Sequence, residues 1–192
     1  MYNSNTSTNY SGESGRISIK PNDILIENIS SILISLIEEN KNLKNYKEKI
    51  LLQKKLIFES PEIPPISIKD YLYRIQSFSE VEDSTLIVSL IYIDKICDTA
   101  SIILSEYNVH RILFMSILMA LKYNEDMFYD NKYYSKIAGV PLKELKKMEY
   151  EFIKLVNFDL YVNKAIFEKY KKYINSINSI KNKTLEDDIT FY

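Results

Sequence analysis

The stretch from Ser84 to about residue 105 carries apolar side chains on nearly every face a helix could present. Leu86, Ile87, Val88, Leu90, Ile91, Ile93, Ile96, Cys97, Ala100, Ile103 and Leu104 leave almost no polar side. A helix without a polar face must be surrounded by other elements. Asp94, Lys95 and Asp98 interrupt the stretch and argue against a membrane span. The chain therefore has to supply a shell around this segment. With only three Gly and five Pro in 192 residues, tight turns are scarce and the shell is expected to be helical. The expected class is all-α.

The remaining periodic segments supply that shell. Residues 1–20 are rich in Ser, Asn, Thr and Gly and are expected to form a disordered leader. Residues 21–57 read as a helical extension. Pro21-Asn22-Asp23 is a start signal, and Leu25, Ile29, Ile32, Leu33 and Leu36 follow helical spacing over 23–38. The polar stretch 38–49 can continue that helix. Ser60-Pro61 and Pro64-Pro65 mark a boundary.

Beyond the boundary, five helices are expected. The first is capped at Ser67 and runs over 67–79. The long apolar one starts at Ser84 and runs to about 105. Asn108 caps a third over 109–123, in which Ser116 and Ala120 allow close helix approach. A short fourth fits 131–138. A fifth fits 141–157, with Pro141 in its first turn. A last helix fits 163–177, and the tail from Thr184 to Tyr192 reads as loose.

Two charges break the apolar pattern. Lys122 ends the run Ile112 to Leu121, and Glu149 lies within the stripe Leu145, Met148, Phe152, Val156. An unpaired buried ion costs several kcal/mol or more. Spacing alone leaves three outcomes open: the two pair with each other, they snorkel to solvent, or they meet a partner.

Other chemistry is thinly represented. His110 is the only histidine, which excludes a His-dependent triad or multi-histidine metal site; near a helix start it reads as packing or capping. Cys97 is the only cysteine and reads as a buried small hydrophobe. The acidic clusters Glu80-Val81-Glu82-Asp83 and Asp187-Asp188 lack a loop that would converge oxygens on a metal. Gly12, Gly15 and Gly139 form no phosphate-cradling loop. No catalytic, metal or cofactor site is expected. The net charge of −1 gives no basic balance, so nucleic-acid binding is not expected. No secretory signal or membrane span is read, and an intracellular chain of cytoplasm or nucleus is expected. Ser60-Pro61 is either a linker turn, the plainer reading, or a proline-directed phosphorylation site.

The order of these motifs resembles a cyclin box, closest to the P-type, phosphate-pathway-like cyclins. The stretches that carry it are Pro65 to Ile75, Leu90 to Ile96, Asn108 to Leu113, Ala120 to Tyr123, Tyr129 to Val140, and Glu144 to Glu149. The resemblance spans Phe58 to Tyr173, over half of the chain. It implies a single five-helix box over 58–160, preceded by the 21–57 extension and followed by a helix and tail over 161–192. It also implies a regulatory subunit, monomeric when unbound, that performs no chemistry and activates a cyclin-dependent kinase by holding its C helix.

In that family a Lys ending the third box helix and a Glu in the fifth contact the kinase. Lys122 and Glu149 fall on those positions, so the resemblance puts their partners on another chain. Tyr123, Tyr150, Ile153, Phe158 and Leu160 would lie at the apolar part of the contact. Two departures stand out. Lys95 replaces the usual Arg of the second-helix motif, keeping the charge and losing the planar fork. The Met-Arg-rich docking patch of mitotic cyclins is absent, with Tyr71-Leu72-Tyr73-Arg74-Ile75 in its place. Too few residues follow position 160 for a second box. The alternative is a cyclin-box adaptor or transcription-factor-like module without kinase activation.

Overall fold

A computed structural model describes residues 21–189, with side chains through 177. The leader 1–20 and residues 190–192 lie outside the described part. Among the described residues there are eight helices and no strands: α1 (Asp23–Lys41), α2 (Tyr46–Gln53), α3 (Ile68–Ser79), α4 (Asp83–Thr99), α5 (Val109–Asn124), α6 (Asn131–Ala138), α7 (Leu142–Leu155) and α8 (Lys164–Ile189). None is long and apolar enough to cross a membrane.

The all-round apolar segment is the centre, as its pattern requires. Leu86, Ile93 and Ile96 of α4 are buried, and so are the flanking Ile87, Val88 and Leu90. The α4–α5 pair is the most extensive helix packing in the molecule. Ser89, Ser116 and Ala120 are fully buried, small side chains that let helix backbones come close. Helices α3 and α7 pack on α5 and are bridged by α6, while α8 packs on α4 and α1 joins α3 to α8.

Helix α1 packs onto the box helices. Its stripe Leu25, Ile26, Ile29, Leu33 and Ile37 is buried, mostly against α3 and α8. The Asn22 side chain caps α1 by accepting from the Leu25 N–H at 3.2 Å and donates to Asp83 at 2.6 Å. Buried Asn28 donates to the Ile174 carbonyl at 3.0 Å, tying α1 to α8.

Several expected boundaries move. The apolar helix stops at Thr99 instead of running to 105. Ser101 takes a left-handed φ of 52°, and Ile102, Ile103 and Leu104 continue as a buried non-helical segment. Buried backbone polar groups need partners, and helices α1 and α2 deliver them through side-chain amides. Gln53 accepts from the Ile103 N–H (2.6 Å) and donates to its carbonyl (3.0 Å). Asn40 donates to the Leu104 carbonyl (2.9 Å).

Glu82, not Ser84, holds the N-cap position of α4. Pro141 is the N-cap of α7 and not its first-turn residue. The polar stretch after α1 does not continue that helix, because the chain turns at Asn42 and Asn45, the latter with φ 63°. Asn108 does precede α5, yet its side chain makes no capping bond to the helix. It accepts from the Ser105 N–H (2.9 Å) and donates to Glu59 (2.8 Å) instead, bracing the loop before α5. Helix α8 runs on through Ile189, past Thr184 where a loose tail was expected.

Candidate functional site

Lys122 lies in the last turn of α5, Asn131 opens α6, and Glu149 sits midway along α7. Their side chains close a ring. The Lys122 ammonium pairs with Glu149 Oε1 and donates to Asn131 Oδ1. Asn131 Nδ2 donates to Glu149 Oε2 at 2.6 Å. Each charged partner is about four-fifths buried, at 19% and 20% side-chain exposure. Of the outcomes open to the two charges, pairing with each other is the one this chain shows. An ammonium carries three donors and a carboxylate about four acceptor sites. The ring uses two of the former and two of the latter, so both groups retain bonding capacity.

The residues expected beside the pair divide by exposure. Tyr123, Tyr150 and Phe158 are exposed, at 52%, 63% and 72%. Ile153 and Leu160 are half-buried and lean on the core. Tyr123 follows Lys122 at the end of α5. Tyr150 follows Glu149, and Ile153 lies four residues beyond it on the same face of α7. The Lys154 ammonium lies 5.1 Å from the Tyr150 ring centre.

The loop after α7 presents the remaining two. Asn157 and Phe158 both adopt left-handed backbone, φ 53° and 58°, a conformation that costs non-glycine residues roughly 1–3 kcal/mol each. Four bonds hold it. The Phe158 N–H donates to the Ile153 carbonyl at 2.9 Å. Lys95 donates to the Asp159 carbonyl at 2.7 Å and pairs with its carboxylate. Tyr92 donates to the Leu160 carbonyl at 2.6 Å. The Lys95 ammonium lowers the Asp159 pKa below its ordinary value, and burial raises that of the Tyr92 hydroxyl far above its own. The net effect is a tied loop with an exposed phenyl ring.

Sequence reasoning missed Asn131, whose role depends on three helices meeting, and Asp159, the partner of Lys95. It also missed Tyr161, which is 69% exposed just beyond Leu160. The Arg-to-Lys departure at Lys95 was visible; its partner was not.

The other sequence candidates are structural. His110 is buried, its Nε2 2.9 Å from the Ile66 carbonyl and its ring edge-on to Tyr71 at 5.2 Å. Cys97 is half-buried, with burial pushing its thiol up to about 11. Asp83 of the first acidic cluster is bonded to Asn22 and Gln76, while the side chains of Asp187 and Asp188 lie outside the described residues. Among the described residues no group of three acidic, His or Cys side chains is placed to hold a metal.

Comparison with known proteins agrees with this architecture. The cyclin family's sequence profile matches residues 23–160. Cyclin-U2-2 of Arabidopsis thaliana is 41% identical over 115 residues, 59% of this chain and 50% of that protein. Cyclin-P4-1 of Oryza sativa subsp. japonica is 34% identical over 120 residues, 62% of this chain and 57% of that one. PHO85 cyclin-7 of Saccharomyces cerevisiae is 28% identical over 181 residues, 84% of this chain and 62% of that one. The chain thus spans between half and two thirds of these relatives' length. An α-helical box built around α4 and α5, matched over 23–160, places this chain in the cyclin family, among its P/U-type members.

Proposed function

We propose that this chain is a regulatory subunit that binds a cyclin-dependent kinase and favours its active state. The contact face consists of the Lys122–Asn131–Glu149 ring with Tyr123, Tyr150, Ile153, Phe158 and Leu160. One observation carries the reading: a satisfied, partly buried ion pair sits beside exposed aromatic side chains, one of them displayed from strained backbone. Strain held in place by dedicated contacts is a mark of functional sites, and exposed aromatics are the usual anchors of an interface. The yeast relative is named as a cyclin of PHO85, which supports a partner of this kind.

The mechanism needs no chemistry from this chain. Kinase catalysis requires a Lys–Glu ion pair whose glutamate comes from the C helix. A rigid surface that binds that helix only in its inward position shifts the kinase toward activity by the difference in affinity for the two states. Shifting an equilibrium from 1:99 to 99:1 takes about 5.5 kcal/mol of such difference, within reach of an interface with a few well-packed aromatic anchors.

The test is co-elution of the full chain with cyclin-dependent kinases from its cell of origin, followed by phosphotransfer assays. Stimulated phosphotransfer supports the reading. Binding without stimulation reduces it to an adaptor, and no binding by any such kinase overturns it.

A further inference from the structure

Ser60 and Pro61 line a surface groove of about 670 Å³ together with Tyr46, Lys47, Lys54 and Tyr107. We propose that Ser60 is a phosphorylation site for a proline-directed kinase, and that Lys47 of α2 and Lys54 at its C-cap clamp the phosphate once it is added.

The backbone is suited to the modification. A residue before proline is pushed toward extended conformation, the form a kinase cleft accepts. Ser60 is half-buried and Pro61 exposed, and both lie in non-helical chain between α2 and α3. The Ser60 N–H donates to the Tyr107 carbonyl at 2.8 Å, which fixes the loop just before α5. Ser60 therefore lies near the start of α5 and Lys122 at its end. Lys122 lies thirteen residues beyond Val109 along α5, a rise of about 20 Å, so a partner on the ring face leaves Ser60 open.

The groove is suited to the product. Lys47 and Lys54 form no ion pair among the described residues, so two cations face a groove whose one acidic lining residue is Glu59. Glu59, the acidic residue of the groove, is already engaged by Asn108 Nδ2. In the transfer the Ser60 Oγ attacks the γ-phosphorus of ATP. The new O–P bond forms as the bond to the β-phosphate oxygen breaks, ADP leaves, and the hydroxyl proton passes to the kinase's base. The phosphoserine carries about −1.5 to −2 charge and three acceptor oxygens, enough for both ammonium groups.

The consequence falls on α2. Its one buried residue is Gln53, while Leu51 and Leu52 are 63% and 78% exposed. A phosphate held by Lys47 and Lys54 would staple this thinly attached helix to the loop before α3.

The experiment incubates the full chain with a proline-directed kinase and ATP. Tandem mass spectrometry should place one phosphate on Ser60, absent from Ser60→Ala. Hydrogen exchange of α2 amides should slow about threefold or more in the phosphorylated chain. A Lys47→Ala/Lys54→Ala variant should accept the phosphate at an unchanged rate and show no slowing. If the folded chain takes no phosphate at Ser60 while a peptide of residues 53–68 does, the site is closed and the proposal fails. If phosphorylated chain and Lys variant exchange alike at α2, the clamp is wrong.

Discussion

Lys95 joins the middle of the protein to its candidate contact face: its ammonium reaches both the carbonyl oxygen of Asp159, at 2.7 Å, and that residue's carboxylate. A central-helix cation thereby fixes the loop that displays Phe158. Replacing Lys95 by Met should leave the fold intact, because the pair is on the surface and such pairs contribute little to stability. It should free the loop and weaken kinase binding about tenfold, and Lys95→Arg should restore most of it. Carboxyl NMR gives an independent check. The Asp159 titration should lie below its ordinary value in the parent and return toward it in Lys95→Met. The loop's support from this carboxylate is thus present above the ordinary Asp pKa and lost as pH falls through the lowered one.

The Lys122–Glu149 pair calls for a swap. Glu149→Ala leaves a mostly buried ammonium with Asn131 alone, which should destabilise the fold by about 1–3 kcal/mol, below the cost at fully buried pairs. The double variant Lys122→Glu/Glu149→Lys should recover much of that stability in chemical denaturation. Kinase binding should stay lost, because a partner that reads a cation at one place and an anion at the other meets both reversed. Binding restored along with stability would show that the pair serves the fold alone.

Phe158 should separate stability from binding. Its ring is 72% exposed and its backbone is left-handed. Phe158→Gly removes the steric cost of that conformation and should stabilise the protein by up to about 1 kcal/mol. The same change removes the interface anchor and should weaken kinase binding by about 2 kcal/mol or more. Calorimetry on the isolated chain and titration with the kinase read the two opposite effects.

The Gln53 clamp predicts a stability loss in a segment the helical pattern misread. Gln53→Leu strands the Ile103 N–H inside the protein, while the Ile103 carbonyl keeps its bond from Asn108 Nδ2 at 2.9 Å. The cost should be about 1–3 kcal/mol in urea denaturation, since one buried donor loses its acceptor. Gln53→Glu, which can still accept from the N–H, should lose less at a pH where it is protonated.

The fold was legible where hydrophobic period decides it and hidden where polar side chains do. All-round apolarity announced α4 as central, and the stripe on α1 announced a buried face. Continued apolarity through Ile102, Ile103 and Leu104 looked like more helix, because nothing local marks the side-chain amides of Asn40 and Gln53, some 50 to 64 residues earlier, that satisfy an extended backbone. The same limit governs the site. Lys122 and Glu149 stood out as misplaced charges, but their pairing through Asn131 depends on how α5, α6 and α7 meet. Asp159 looked like an ordinary loop acid until Lys95 was found beside it.

His110 gives the last prediction, and the absence of any other histidine makes it clean. Its Nε2 faces a carbonyl, which can only accept, so Nε2 carries the proton of the neutral ring. Nδ1 is buried without a partner. Protonating it would bury an unsatisfied charged N–H, and desolvation accordingly lowers the His110 pKa below its ordinary value of 6.5. The unfolded chain then binds a proton that the folded chain refuses. Stability from this residue is therefore fully present above pH 6.5 and declines as pH falls from there toward the lowered pKa. The melting temperature of the parent should drop between pH 7 and 5.5. In His110→Phe, which keeps an aromatic ring against Tyr71 but forgoes the bond to Ile66, the protein should be less stable at pH 7 and its melting temperature nearly flat over that interval. Equal slopes in the two proteins would show that His110 is protonated in the fold and that its buried Nδ1 finds water.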